Sequence, residues 1–273
     1  MSNTLSINHP IVSVSWLHDN LDADNLVVLD GTMGKNLDEA YSQIPKARFF
    51  DIKNKFSNTS DPFPNAFPST EQFQKEAQTL GINSDSAIVV YDDKGIYSSA
   101  RVWWLFKSFG HNNVAVLSGG FPAWEKAGYA TEIAKSYSGE SGNFKAVLQP
   151  KTMQFFKGLK SVVQNHSHKV VDARSADRFQ GKVPEPRAGL RQGTIPDSVN
   201  LPFTDLLEDG HLKSKIELEK ALYMVAQKND PVVFSCGSGI TACVLALGAS
   251  VAGYNNISVY DGSWTEWGTL VED

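Results

Sequence analysis

Cysteine is scarce in this sequence, because Cys236 and Cys243 are the only two among 273 residues. A small secreted scaffold that depends on disulfides carries more of them, so we expect a reducing compartment, the cytoplasm. The first twenty residues lack a basic stretch followed by an apolar one, which predicts no export signal. No run of about eighteen apolar residues occurs, so no membrane-spanning segment is expected.

Positive charge is scarce as well, since 25 Lys and Arg stand against 30 Asp and Glu, a formal net charge of −5. A general nucleic-acid binder is usually basic, so we expect no nucleic-acid partner. Hydrophobic residues make up 41% of the chain and charged residues 20%. That composition is typical of a soluble globular protein, and the length allows two domains.

The chain contains an internal repeat at a spacing of 143 residues. The predicted buried strand at 88–93 (IVVYDD) matches 231–236 (PVVFSC), and 118–121 (SGGF) matches 261–264 (DGSW). Short apolar strands alternate with helical runs in both halves, a pattern that favours mostly parallel sheets with helices on both faces. We therefore predict an α/β fold of two tandem domains, at 1–130 and 151–273, with a polar linker at 131–150.

Cys236 stands between a predicted strand and a helix that begins near Thr241, where active sites of open α/β sheets lie. Gly237 and Gly239 allow a tight curl that turns backbone amides inward as an anion site. The positive N-terminal end of the helix lies at the same site, and both features stabilise the thiolate form of Cys236. Cys236 is therefore the predicted nucleophile, whereas Cys243, among apolar helical neighbours, is predicted to be a core residue.

A basic segment spans 174–193 in a chain that is acidic overall. It carries five cationic residues, Arg174, Arg178, Lys182, Arg187 and Arg191, against the acids Asp177 and Glu185. Its prolines and glycines predict a loop, so no helical ion-pair stripe accounts for the charges. A guanidinium fork suits the carboxylate of a small acid.

The run CGSGITAC on a tandem α/β architecture resembles the rhodanese superfamily, and within it the 3-mercaptopyruvate sulfurtransferases. Their loop reads Cys-Gly-Ser-Gly-Val-Thr, from which this chain differs only at Ile240. The resemblance implies a sulfurtransferase that carries sulfur as a persulfide on Cys236. It also implies an active-site loop formed by Gly237, Ser238, Gly239, Ile240 and Thr241, with Ser238 in a catalytic role.

The resemblance further implies the substrate and the partners. The family patterns Arg-Phe-x-Gly and Glu-Pro-Arg match 178–181 and 185–187, so Arg178 and Arg187 are expected to contact the keto acid. Sulfur would pass from 3-mercaptopyruvate to cyanide or a thiol, such as thioredoxin or a low-molecular-weight thiol, without metal or cofactor. Asp93 stands at the position of Cys236 in the repeat, so the first domain is expected to lack the activity.

One departure from the family concerns the proton at Ser238. Some members are proposed to activate this serine through a first-domain histidine and acid, but Asn65 and Lys53 stand near those positions. Ser238 is then expected to act as a hydrogen-bond donor. The proton that pyruvate needs as it leaves would then come from Ser238, an arginine-bound water or solvent.

Three alternatives stay open at this point. A thiosulfate-preferring rhodanese typically carries Cys-Arg-Lys-Gly, and Gly237 and Ser238 lack those basic side chains. A Cys-x₅-Arg phosphatase or arsenate reductase would need an arginine where Ala242 stands. A non-enzymatic module that only carries a persulfide would not release pyruvate.

Overall fold

The structure, a computed structural model, describes residues 4–35 and 37–272. They form two compact units. The first comprises residues up to Asn58, Phe67–Gln149 and Asp209–His211, and the second comprises Thr59–Ala66, Pro150–Glu208 and the chain from Leu212 onward. None of the helices in the described part of the chain is long and apolar enough to cross a membrane.

The first half of the chain builds a five-stranded parallel sheet. Its elements are β1 (Ile11–Val12), α1 (Val14–Asp19), β2 (Leu26–Asp30), β3 (Ser42–Gln43), β4 (Arg48–Phe49), α2 (Thr70–Thr79), β5 (Ala87–Tyr91), α3 (Ser99–Ser108), β6 (Val114–Leu117), α4 (Gly120–Lys126) and β7 (Glu132–Ile133). The strand order is β1-β6-β5-β2-β4. Every neighbouring pair in this sheet is parallel, and β3 pairs with β7 in a separate antiparallel ribbon.

The second half builds a sheet of the same kind. Its elements are β8 (Met153–Gln154), α5 (Phe156–Asn165), β9 (Lys169–Asp172), α6 (Ala176–Phe179), β10 (Val199–Asn200), a 3-10 helix (Phe203–Leu206), β11 (Leu207–Glu208), β12 (His211–Leu212), α7 (Lys215–Tyr223), β13 (Val232–Ser235), α8 (Ala242–Ala252), β14 (Ile257–Tyr260) and α9 (Ser263–Leu270). The strand order β10-β9-β13-β14-β8 is again parallel throughout. Matched copy by copy, it is the order of the first sheet, so the predicted fold of two α/β domains with parallel sheets is confirmed.

Apolar strands explain why both sheets are covered by helices. The central strands β5 and β13 are buried at every residue, as expected for parallel strands packed on both faces. In the second unit, Leu159 of α5 and Trp264 of α9 pack in one cluster with Val233 of β13. Helix α8 is buried along most of its length, and Gly253 ends it with a φ of 84° that favours glycine.

The segment predicted as a linker lies against the first unit. Residues 134–149 have no regular secondary structure, yet Phe144 is only 1% exposed and its ring packs against Phe73 and Phe106. The Val147 amide donates to the Phe109 carbonyl oxygen at 3.0 Å. Burial of one large aromatic side chain therefore fixes part of a stretch whose polar composition predicted only a connection.

Candidate active site

The predicted nucleophile lies where the central strand of the second sheet ends. Strand β13 ends at Ser235, Cys236 follows directly, and α8 begins at Ala242. Gly239 has a φ of 75°, which glycine adopts without strain and which curls the loop. Cys236 is 1% exposed, so its sulfur lies in a site from which most water is excluded. Electrostatic interactions are stronger in such a site than in water.

Ser263 ties the two ends of the cysteine loop together. Its Oγ accepts hydrogen bonds from the amides of Cys236 and Gly239, both at 3.1 Å, and lies 3.7 Å from Cys236 Sγ. Its own hydrogen is donated to the Tyr260 carbonyl oxygen at 3.0 Å. The Gly239 amide is therefore bound to Ser263 and does not contribute to the anion site that the curl of the loop predicts.

Ser263 was not predicted from the sequence as a site residue, although the repeat contains a signal for it. Ser263 matches Gly120, and both have a positive φ, 50° and 55° respectively. A non-glycine residue in that conformation is strained and commonly serves a structural or functional need.

The first turn of α9 binds the carbonyl groups of the cysteine loop. The Trp264 amide donates to the Cys236 carbonyl oxygen at 2.9 Å, and the Thr265 amide donates to that of Gly237 at 3.0 Å. The Thr265 hydroxyl donates to the Gly237 carbonyl oxygen as well. These carbonyl dipoles, which would repel an anion, are thereby engaged by the helix.

The matching loop of the first unit is occupied by its own carboxylate. Asp92 Oδ2 accepts from the amides of Tyr97 and Ser99, each at 2.8 Å, and from the Ser99 hydroxyl at 2.6 Å. Asp92 Oδ1 accepts from the Lys94 amide at 2.9 Å. An internal anion thus fills the amide nest after β5.

The described loop of the second unit has no carboxylate at the position of Asp92. The residue that matches Asp92 is Ser235, whose hydroxyl is neutral, buried and without a hydrogen-bond partner. Asp93, at the nucleophile's position in the repeat, is exposed. A carboxylate cannot act as a sulfur nucleophile, so of the two matching loops the one at Cys236 has the thiol and has no carboxylate at the position of Asp92.

Arg178, one of the two predicted substrate residues, lies beside this loop. It belongs to α6, its side chain is 25% exposed, and its Nη2 donates to Glu185 Oε2 at 2.5 Å. A Cβ placed on Gly237 would lie 2.9 Å from Arg178 Nη2, so the guanidinium rests against the loop backbone. Arg178 Nε is buried without a partner, which leaves a donor for a ligand.

Arg187 is linked to Gly237 of the loop through the hydroxyl of Thr265. Its Nη1 donates to Thr265 Oγ1 at 2.9 Å, and that hydroxyl donates to the Gly237 carbonyl oxygen. The structure therefore brings both predicted arginines to the stretch that follows Cys236.

Arg174 packs inside the domain. It is 1% exposed, and its Nε and Nη2 donate to the carboxylate of Asp172 at 2.8–3.1 Å. Its Nη1 donates to Glu185 Oε1 at 2.8 Å, and its guanidinium lies 4.9 Å from the Trp264 ring centroid. Burial raises the pKa of Asp172, and the hydrogen bonds and charge of Arg174 oppose that rise.

The other cationic residues of the segment take separate places. Arg191 lies 4.8 Å from the Trp264 ring centroid and donates to the Val271 carbonyl oxygen at 2.9 Å. Lys182 is exposed. In the described parts of the chain, no three His, Cys, Asp or Glu residues lie close enough to hold a metal ion.

Asn65 lies beside Ser238, as the sequence comparison of this stretch suggested. Its Nδ2 donates to the Ser238 hydroxyl and to the Ser238 carbonyl oxygen, both at 3.2 Å. A neutral amide cannot take a proton as an imidazole does. Lys53, near the family's acid position, is exposed.

Cys243 is a fully buried core residue, in line with its apolar helical setting. Its thiol donates to the Gly239 carbonyl oxygen at 3.3 Å. Ile240 is also buried, at 4% exposure, and Thr241 is the N-cap residue of α8. Both cysteines are free thiols.

Comparison with known proteins identifies the family to which both halves of the chain are similar. The model of the rhodanese-like domain matches residues 13–127 and again 157–270. The mouse 3-mercaptopyruvate sulfurtransferase is 38% identical, with 94% of this chain and 91% of that protein covered. An Arabidopsis thaliana protein, thiosulfate/3-mercaptopyruvate sulfurtransferase 1, mitochondrial, is 37% identical over 98% of this chain and 78% of its own length.

A solved structure supports the same relationship. The Escherichia coli 3-mercaptopyruvate sulfurtransferase SseA superposes with a TM-score of 0.85 at 30% identity, with 94% of this chain and 99% of that one covered. The family model matches the chain twice, once in each of the two α/β repeats. The chain therefore belongs to the rhodanese family, with two rhodanese domains in tandem.

Proposed function

We propose that this protein is a 3-mercaptopyruvate sulfurtransferase that moves sulfur through a persulfide on Cys236. One observation carries the proposal: the amide nest that Asp92 fills in the first unit lacks an internal carboxylate around Cys236. Backbone amides directed at an incoming negative charge stabilise it without reorganisation. The names of the relatives support the same activity.

The reaction has two steps. The Cys236 thiolate attacks the sulfur of 3-mercaptopyruvate, an S–S bond forms and the C–S bond breaks. The electron pair of the C–S bond stays on carbon as the enolate of pyruvate, which takes one proton and leaves. The donor's thiol hydrogen stays on the persulfide and is then lost to solvent. An acceptor takes the outer sulfur and regenerates the thiolate, which is covalent catalysis with ping-pong kinetics.

Ser238 supplies or relays the proton in this proposal. Asn65 donates to the Ser238 hydroxyl oxygen, so the hydroxyl's own hydrogen stays available for the enolate. Asn65 orients this hydroxyl but cannot act as a general base.

The donor is a keto acid held by Arg178 and Arg187. Guanidinium groups bind a planar carboxylate in a bidentate way. A thiosulfate-preferring enzyme is the second candidate, because the Arabidopsis relative's name includes both donors. Arg178 disfavours a basic side chain on residue 237, since its Nη2 would lie 2.9 Å from the added Cβ.

The acceptor in this proposal is a thiol, either thioredoxin or a low-molecular-weight thiol. A reducing compartment, with the cytoplasm as the proposed one, fits two cysteines that are both free. A reduced acceptor would be abundant there.

Steady-state kinetics with the two donors test the proposal. We expect a higher kcat/KM for 3-mercaptopyruvate than for thiosulfate, and continuous pyruvate release, which a passive persulfide carrier would not give. Cys236→Ser should abolish turnover with both donors, while Cys243→Ser should retain it. Turnover by Cys236→Ser, or a preference for thiosulfate in the unmodified protein, would contradict the proposal.

A further inference from the structure

Glu185 is a buried acid that binds two arginines at once. Its side chain is 1% exposed, Oε1 accepts from Arg174 at 2.8 Å, and Oε2 accepts from Arg178 at 2.5 Å. A carboxylate removed from water is costly unless charged donors compensate it. Here both oxygens are compensated, one by a structural arginine and one by an arginine beside the cysteine loop.

Counting the charges in this network gives a small positive sum. Arg174, Arg178 and Arg187 contribute three guanidinium groups, and Asp172 and Glu185 contribute two carboxylates, which leaves one net positive charge. Asp172 is counted as ionised because its two oxygens accept four hydrogen bonds from Arg174. Without Glu185 the same set would carry two positive charges.

The charge of this network affects donors of different charge to different extents. The carboxylate of a mercapto keto acid is a monoanion, whereas thiosulfate is a dianion. Coulomb energy scales with the product of the charges, so an added positive charge favours the dianion by more than the monoanion. Because Cys236 and the Glu185 side chain are each only 1% exposed, this difference is less screened than it would be at the surface.

We propose that Glu185 is a specificity-determining residue, whose negative charge lowers the positive charge of the arginine network beside Cys236 and thereby favours a monoanionic sulfur donor over a dianionic one. This inference rests on the proposed function, because it concerns which donor Cys236 meets. Glu185 also orients Arg178, so its charge and its geometry must be separated.

Two variants of the full chain separate the effect of the Glu185 charge from the effect of its geometry. Glu185→Gln removes the charge and keeps the length of the side chain, whereas Glu185→Asp keeps the charge and shortens it. The quantity measured is the ratio of kcat/KM for thiosulfate to kcat/KM for 3-mercaptopyruvate. This ratio is independent of the folded fraction, because both constants come from the same preparation. Glu219→Gln on α7, a partly exposed residue paired with Lys228, is the control for overall charge.

We expect Glu185→Gln to raise the ratio about tenfold or more towards thiosulfate. Glu185→Asp and Glu219→Gln should stay close to the unmodified protein. An unchanged ratio in Glu185→Gln overturns the inference, and so does an equal shift in Glu185→Asp, which would assign the effect to geometry. If the unmodified protein fails to use 3-mercaptopyruvate, the proposed function fails instead, and the two failures are thus distinguishable.

Discussion

At the residue scale, the difference between the two loops depends on the residue before the nucleophile position. Asp92 in the first copy provides the carboxylate that four hydrogen bonds hold, and Ser235 in the second copy provides none. The backbone curl of the first unit therefore holds an internal carboxylate, and the matching position of the second unit has none.

This difference predicts opposite outcomes for two substitutions of nearly equal size. Ser235→Asp would introduce the internal carboxylate, compete with the persulfide for the amides and lower kcat by about a hundredfold or more. Ser235→Asn adds the same bulk without charge and should retain far more activity. Initial rates of pyruvate release measure both, and equal losses in the two variants would show that bulk alone is responsible.

Ser263 presents a second residue-scale case, because it accepts two buried amides and has a φ of 50°. Ser263→Ala leaves both amides unpaired while the strained backbone remains, so we expect the free energy of unfolding to fall by about 2–4 kcal/mol. Ser263→Gly loses the same hydrogen bonds but relieves the left-handed strain, so it should be about 1 kcal/mol more stable than the alanine variant.

Urea denaturation measures both Ser263 variants. Unfolding free energies equal to that of the unmodified protein would mean that Ser263 does not hold the cysteine loop.

At the scale of elements, the strand–loop–helix unit around Cys236 was predictable because its signals are local. An apolar strand, two glycines and a helix start lie within about twenty consecutive residues. Local patterns of this kind predict strands and helix ends well. The part that α9 plays was not predictable, because Trp264 and Thr265 bind the loop through backbone amides, which carry no sequence signal.

The basic segment shows a second reason for the limit of prediction. Charged residues in a proline-rich loop usually lie at the surface, yet Arg174 and Glu185 are buried because they bind each other and Asp172. These side chains are buried because they form ion pairs, and the sequence alone does not show which charged residues will pair in the folded protein. Likewise, Asn65 meets Ser238 across 173 residues of sequence.

Helix α9 also carries a pH-dependent contribution to stability. Burial raises the pKa of Glu266, the Tyr260 hydroxyl opposes the rise, and the carboxylates of Asp261 and Asp61 add to it. An acid whose pKa is higher in the folded protein binds its proton more tightly there, so stability falls as pH rises through that range.

Glu266→Gln should therefore gain stability relative to the unmodified protein as pH increases from about 4 to about 8. Urea midpoints at several pH values measure the difference between the two proteins. A difference that stays constant with pH would contradict the assigned shift.

At the scale of the whole molecule, the chain contains the same domain fold twice, and the two sheets have the same strand order. The repeat spacing alone indicated this architecture, since matching strands and loops recur in the same order. The repeat alone does not show that the loop of the first copy binds a carboxylate of its own, whereas the loop of the second copy has a serine at that position. Only one copy has a thiol at the nucleophile position, so the account predicts a single persulfide for each chain.

The most direct test of the central claim is intact-protein mass spectrometry after incubation with 3-mercaptopyruvate and without an acceptor. We predict a mass increase of one sulfur atom per chain, mapped to Cys236 by peptide analysis, with an equal amount of pyruvate in solution. Addition of a thiol acceptor should remove the extra mass. Pyruvate release without a sulfur adduct, or an adduct on Cys243 instead of Cys236, would contradict it.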